Sequence, residues 1–232
     1  MPLLGLHGPS TLAWATLLVV ASSATLSDPW IRLGQERRER LTRPDDPDLN
    51  RRAPERFAVW LETSKGQIVI DVTRRWAPHG VDRFFNLAEA GYYDDSRFFR
   101  VVADRWAQFG IHGTPEVSKA WRDRTIPDDP RVESNVKGTV AFAFAVPNGR
   151  TTQVFINLRD NSETHDKEPF VPFGRITQGI ERIDRLNSEY GDGCGGGIRA
   201  GKQVPLFERG NAFLDEVCPR LDRIYRVSVH ID

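Results

Sequence analysis

Apolar and polar residues alternate one by one from Phe57, with Phe57, Val59 and Leu61 set against Ala58, Trp60 and Glu62. That period of two marks a half-buried strand. Ser64, Lys65 and Gly66 then supply a turn before a second apolar run at 67–72 (QIVIDV), so the segment is predicted to be a β-hairpin. The period changes after Pro78. Val81, Phe84, Phe85 and Ala88 fall at i, i+3, i+4 and i+7, one face of a helix that Pro78 opens and Gly91 closes. Short apolar runs follow at 98–102, 107–111, 138–145, 153–157 and 171–176. Ile180, Ile183 and Leu186 predict a second amphipathic helix, and 224–231 alternates again through Tyr225, Val227 and Val229. Many short strands with two helices far apart in sequence argue against a βαβ layout. They predict a mainly β fold, a closed antiparallel β-barrel of about eight strands capped by two α-helices.

The chain before Phe57 is of a different kind. Residues 12–24 (LAWATLLVVASSA) carry no charge and end in small side chains, which predicts a signal peptide over 1–24. The stretch 1–10 has no Lys or Arg, so an uncleaved anchor and a mis-assigned start stay open as alternatives. Residues 25–56, rich in Arg, Asp, Glu and Pro, read as a solvated charged linker with one short helix at 34–41. The folded domain is expected over 57–232.

Charge narrows the partners. Lys+Arg and Asp+Glu are both 32, giving a formal net charge of zero. Nothing in that balance asks for nucleic acid or an anionic surface, and a monomer with no stable membrane insertion after signal cleavage is expected. The two cysteines, Cys194 and Cys218, either close a disulfide, worth about 3 kcal/mol across such a loop, or remain free thiols. His79, His112, His165 and His230 are scattered, and no Cys or His sits at metal-ligand spacing, so neither a metal nor a cofactor is expected. Nucleophile-elbow, zinc-protease and phosphate-loop patterns are absent, and the glycine cluster at 191–197 reads as a surface loop.

Two segments carry chemistry: 97–113 (RFFRVVADRWAQFGIHG) and 138–157 (GTVAFAFAVPNGRTTQVFIN), the latter followed by PFVPFGRI at 169–176. Together with the helix APHGVDRFFNLAEAGYYDDSRFF they resemble the cyclophilin family of peptidyl-prolyl cis/trans isomerases, and the likeness runs from about Phe57 to Ile176 and more loosely to the last strand. The resemblance implies isomerase activity on proline-containing polypeptides. It implies Arg100 as the donor to the prolyl nitrogen and Gln108 as the glutamine supporting it. Phe155 takes the place of the pocket floor, with Gln153 and Ala143 lining the groove and Phe170 where some members carry histidine.

The chain also departs from the family pattern. Where the family reads P-G-F-M, this sequence has Ala103, Asp104, Arg105 and Trp106. A charge at Arg105 would oppose desolvation of the pocket unless it turns outward, and Trp106 is then the candidate wall. Phe144 replaces a backbone-binding asparagine, and the family's tryptophan or leucine is replaced around Thr164 and His165. Two readings stand: an isomerase that assists folding of exported proteins, and a peptide-binding module of the same fold with little turnover.

Overall fold

The structure, a computed structural model, describes residues 29–195 and 203–231. The predicted signal peptide lies outside the described residues. The chain forms two compact units, 1–35 and 36–232; the first is described only as the opening turns of helix α1 (Pro29–Leu41).

The second unit is built on one antiparallel sheet. Its strands are β1 (Arg56–Thr63), β2 (Gly66–Thr73), β3 (Ser96–Arg97), β4 (Arg100–Val102), β5 (Trp106–Phe109), β6 (Thr139–Phe142), β7 (Val154–Asn157), β8 (Pro172–Gln178) and β9 (Arg223–His230). The predicted hairpin is β1–β2, paired from Arg56↔Thr73 to Thr63↔Gly66, with Gly66 at φ +104° where the turn requires it. Strand order is β3-β9-β1-β2-β8-β6-β7-β5-β4. The barrel is therefore open, not closed, and has nine strands. Its two end strands, β3 and β4, are consecutive in sequence with only Phe98 and Phe99 between them. The sheet curls until both edges meet on one stretch of chain, and a covalent link stands where a ladder was expected.

Inside the curl, Val59, Leu61, Ile70, Phe84, Phe98, Phe109, Phe142 and Phe173 are fully buried in the main core. Helix α2 (Pro78–Glu89) lays Val81, Phe84, Phe85 and Ala88 on it, as the 3.6-residue period requires. Gly91 follows at φ +76°, a position a side chain would enter only with strain.

Helices are more numerous than the two expected: α3 (Pro115–Trp121), α4 (Ser162–His165), α5 (Ile180–Ile183), α6 (Val204–Arg209) and α7 (Asn211–Val217). Each is too short to show two full repeats of a hydrophobic stripe. The expected helix through Leu186 stops at Ile183, although Leu186 is still buried. The charged stretch before Phe57 is also not a solvated linker throughout: Leu41, Leu49 and Ala53 are buried in the main core. Trp121 Nε1 donates to the Leu41 carbonyl at 2.7 Å, and Asp82 accepts from Ala53 N–H at 2.9 Å. Three apolar residues spaced among many charges leave no period to read.

Cys194 and Cys218 form a disulfide, Cα–Cα 6.1 Å. It sits in a second, smaller core with Phe99, Ile111, Leu206, Phe207, Leu214 and Leu221. Among the described residues no helix is long and apolar enough to cross a membrane, and no cluster of His, Cys, Asp and Glu is fit to hold a metal ion.

Candidate active site

Strand register places the chemistry. Arg100 on β4 pairs with Gln108 on β5, Gln108 with Phe155 on β7, and Phe155 with Ala141 on β6. Residues directly opposite across a ladder share a face, so these four form one cross-strand row. Two residues from Gln108, Phe155 and Ala141, on the same face, come Trp106 in β5 and, just beyond the ends of β7 and β6, Gln153 and Ala143, where Ala143 N–H still donates to the Gln153 carbonyl. Their neighbours Val101, Ala107, Phe109, Val140, Phe142, Val154 and Ile156 point the other way, into the main core. Both faces of this part of the sheet are covered, one by core and one by the site.

The polar half of the row is a hydrogen-bonded chain. Arg100 Nη1 donates to Gln108 Oε1 at 3.2 Å, and Gln108 Nε2 donates to Gln153 Oε1 at 2.8 Å. Gln153 Nε2 in turn donates to Gln203 Oε1 at 2.9 Å, and Gln203 Nε2 returns a bond to Gln153 Oε1 at 3.0 Å. The amides are buried, and the chain satisfies groups whose burial would otherwise be costly. Arg100 also donates from Nε to the Asp192 carboxylate, and its guanidinium lies 5.0 Å from the Trp106 ring centroid.

The apolar half is a ring cluster. Phe155, Ala141 and Ala143 pack together, with Trp106 and Phe170 half-buried against them. His165, from α4, joins these rings at 5.4 Å from Phe155, 5.4 Å from Trp106 and 4.8 Å from Phe170. Phe144 reaches the cluster through Phe170, ring to ring at 4.5 Å. Burial pushes the His165 pKa below the ordinary imidazole value and so favours the neutral ring, against an opposing pull from Asp166 toward the charged form. Trp106 Nε1 and His165 Nδ1 are buried without a hydrogen-bond partner among the described residues. Both belong to rings of the pocket wall.

Arg105 is exposed, while Trp106 turns to Phe155. The turn between β4 and β5 explains the exchange. Asp104 has φ +55°, the left-handed region where the family pattern places glycine and which Asp tolerates better than most residues. Arg105 is used through its backbone: its carbonyl accepts from Leu158 N–H at 2.9 Å and from Asn161 Nδ2 at 2.8 Å. Asn161 also donates to buried Asn157, whose amide reaches Asn135 and Thr139, so the turn and α4 are tied to the same polar network.

All eight residues singled out in the sequence thus lie in one neighbourhood. Asp192 and Gln203 were not singled out. Asp192 is far from Arg100 in sequence and sits in a glycine-rich loop, and no spacing links either residue to the site. His165 was visible only as a departure from a pattern.

The sequence model of the cyclophilin type peptidyl-prolyl cis-trans isomerase family matches residues 58–204. The chain belongs to the cyclophilin-type peptidyl-prolyl cis-trans isomerase family. This cyclophilin is 31% identical over 138 residues to peptidyl-prolyl cis-trans isomerase cyp18 of Streptomyces antibioticus, covering 55% of this chain and 81% of the relative. It is 31% identical over 134 residues to the human peptidyl-prolyl cis-trans isomerase-like 1, covering 55% and 78%. A crystal structure of a cyclophilin type isomerase from Cryptosporidium parvum matches the fold with TM-score 0.54 at 15% identity, covering 76% of this chain and 99% of that one. The same protein was also solved in the presence of the dipeptide Ala-Pro, and that structure matches with TM-score 0.54. The family match ends before α7, Cys218 and β9, so one half of the disulfide lies outside it.

Proposed function

We propose that this cyclophilin catalyses cis/trans isomerisation of X-Pro bonds in exported polypeptides, with Arg100 stabilising the twisted prolyl amide. An X-Pro bond rotates against a barrier of about 18–20 kcal/mol and exchanges uncatalysed in roughly 10–100 s. The barrier is amide resonance, so no bond need be cleaved. A fixed cation aimed at the prolyl nitrogen, as it becomes pyramidal and basic, lowers it. Arginine suits the task because it is permanently charged and rigidly forked. The observation that carries the reading is the row Arg100–Gln108–Phe155: donor, support and apolar floor on one face, with Arg105 turned to solvent. Gln108 keeps Arg100 in place, while Phe155, Ala143, Trp106 and Phe170 form the apolar seat for the proline ring.

The disulfide and the uncharged run at 12–24 support export, since disulfides persist in oxidising compartments. A second reading, a peptide-binding module with slow turnover, is favoured by one observation. Phe155 is only 4% exposed, covered by the rings around it, so a proline must displace them to reach it.

A protease-coupled assay on an Ala-Pro peptide separates the two. The isomerase reading expects Arg100→Ala to lower kcat/KM by about a hundredfold, the range seen on removing one preorganised donor, with an unchanged circular dichroism spectrum. A wild-type rate within about tenfold of background, equal in Arg100→Ala, leaves only the binding module.

A further inference from the structure

Strand β4 is an end strand of the sheet, and end strands present an unpaired edge. Here that edge is occupied. Gly191 forms an antiparallel bridge with Val101, the residue after Arg100. The residue before it, Phe99, is 1% exposed in the small core around Cys194 and Cys218. A Cβ on Gly195 would meet the Phe99 ring at 2.6 Å, so the chain beside Cys194 lies flat on that ring. Asp192, between these two anchors, accepts from Arg100 Nε. Three consecutive residues, Phe99, Arg100 and Val101, are thus gripped by the stretch 191–195, which the disulfide fastens to the end of α7.

We infer that Asp192 is a positioning residue for Arg100, and that the Cys194–Cys218 disulfide holds it in place. The inference rests on the isomerase reading above. Asp192 takes the Nε edge, Gln108 takes Nη1, and the Trp106 face closes one side of the guanidinium. Among the described residues the hydrogen bonds of Arg100 leave from Nε and Nη1, not from Nη2. The fork is therefore fixed at its back and offers its far end to substrate. An arginine carries much rotamer entropy, and fixing it beforehand removes that ordering from the path to the transition state. Stability is not what the contact supplies: the Asp192 side chain is 56% exposed, and exposed ion pairs contribute little. Gln203, also within the disulfide loop, grips the other end of the polar row through Gln153.

The test uses exchange NMR on an Ala-Pro peptide, which separates kcat from KM, and the 1H–15N signal of Arg100 Nε. Asp192→Ala is expected to lower kcat about tenfold with KM within twofold, and to move and broaden the Arg100 signal. Asp192→Glu is expected to recover part of the loss. In an Arg100→Ala background, Asp192→Ala is expected to change nothing further, a coupling that a merely structural residue would not show. Reduction of the wild type is expected to reproduce the fall in kcat and to leave Asp192→Ala unaffected, melting being followed in parallel. An unmoved Arg100 signal in Asp192→Ala overturns the inference, as does a kcat that stays level or rises. An inactive wild type whose Arg100 signal still responds to Asp192→Ala overturns the isomerase reading instead, and the clamp stands.

Discussion

Two arginines in this molecule are held by acids, one wholly enclosed and one left partly open. The Arg150 side chain is wholly buried, with Nη2 at 3.0 Å from Asp129 and Nε at 3.3 Å from Asp128. It also donates to the Pro127 carbonyl. Asp129 reaches onward, accepting from the His79 and Gly80 N–H groups at 2.9 Å each, in the first turn of α2. The result is a closed ion pair that joins three segments of chain. Arg100 keeps 19% of its side chain exposed and has one carboxylate at its back and a neutral amide beside it. An arginine enclosed on every side is a structural part. One fixed on two sides and open on the third is equipped to act on something that arrives.

The enclosed arginine is where that contrast is easiest to break. Asp129→Ala leaves a buried guanidinium without its closest charge and takes the acceptor from the start of α2. It is expected to cost about 3–5 kcal/mol, read from urea denaturation. The activity per folded molecule is expected to stay at the wild-type level. A loss under about 1 kcal/mol, the range of exposed pairs, would show that Arg150 is not the structural partner in this comparison.

A smaller effect sharpens the functional side. His165 stands against Trp106, Phe155 and Phe170, and burial holds its pKa below the ordinary value of about 6.5. The ring is neutral above that pH. As pH falls through its lowered pKa, a charge appears in the apolar wall, and kcat/KM is expected to fall with it. His165→Phe is expected to flatten the profile. Stability moves in the same direction. A histidine whose folded pKa is lowered contributes stability present above the unfolded value and lost as pH falls through the folded one. His112, which burial pushes to about 4, adds to that loss, so unfolding must be followed alongside activity. A profile that His165→Phe leaves unchanged would remove His165 from the pocket wall.

How far the sequence foretold these two settings follows from what each is made of. The hairpin β1–β2 and helix α2 were legible because apolar residues repeat with the period of the element over its whole length. The row Arg100–Gln108–Phe155 was legible through the motifs around it, since each member lies in a short stretch of recognisable order. The open barrel was not: its seam depends on β3 and β4, two and three residues long, below the length at which alternation means anything. Asp192 was not legible either. A carboxylate in a glycine-rich loop carries no mark of the partner it meets, and only the disulfide and the edge of β4 bring it to Arg100. Arg150 and Asp129 were hidden for the same reason, because in sequence a buried arginine looks like a surface one.

Arg105 is the smallest test and the one that limits the comparison to a single working charge. It occupies the position that the family pattern gives to a pocket phenylalanine, yet its side chain is exposed and its carbonyl is what Leu158 and Asn161 use. Alanine keeps that carbonyl and leaves Asp104 to shape the turn. Arg105→Ala is therefore expected to stay within about twofold of wild type in kcat/KM and within about 0.5 kcal/mol in stability, as surface substitutions do. A fall of more than about fivefold, roughly 1 kcal/mol in the transition state, would mean that Arg105 reaches substrate. The site would then work with two cations, and the outward turn seen here would be only its resting arrangement.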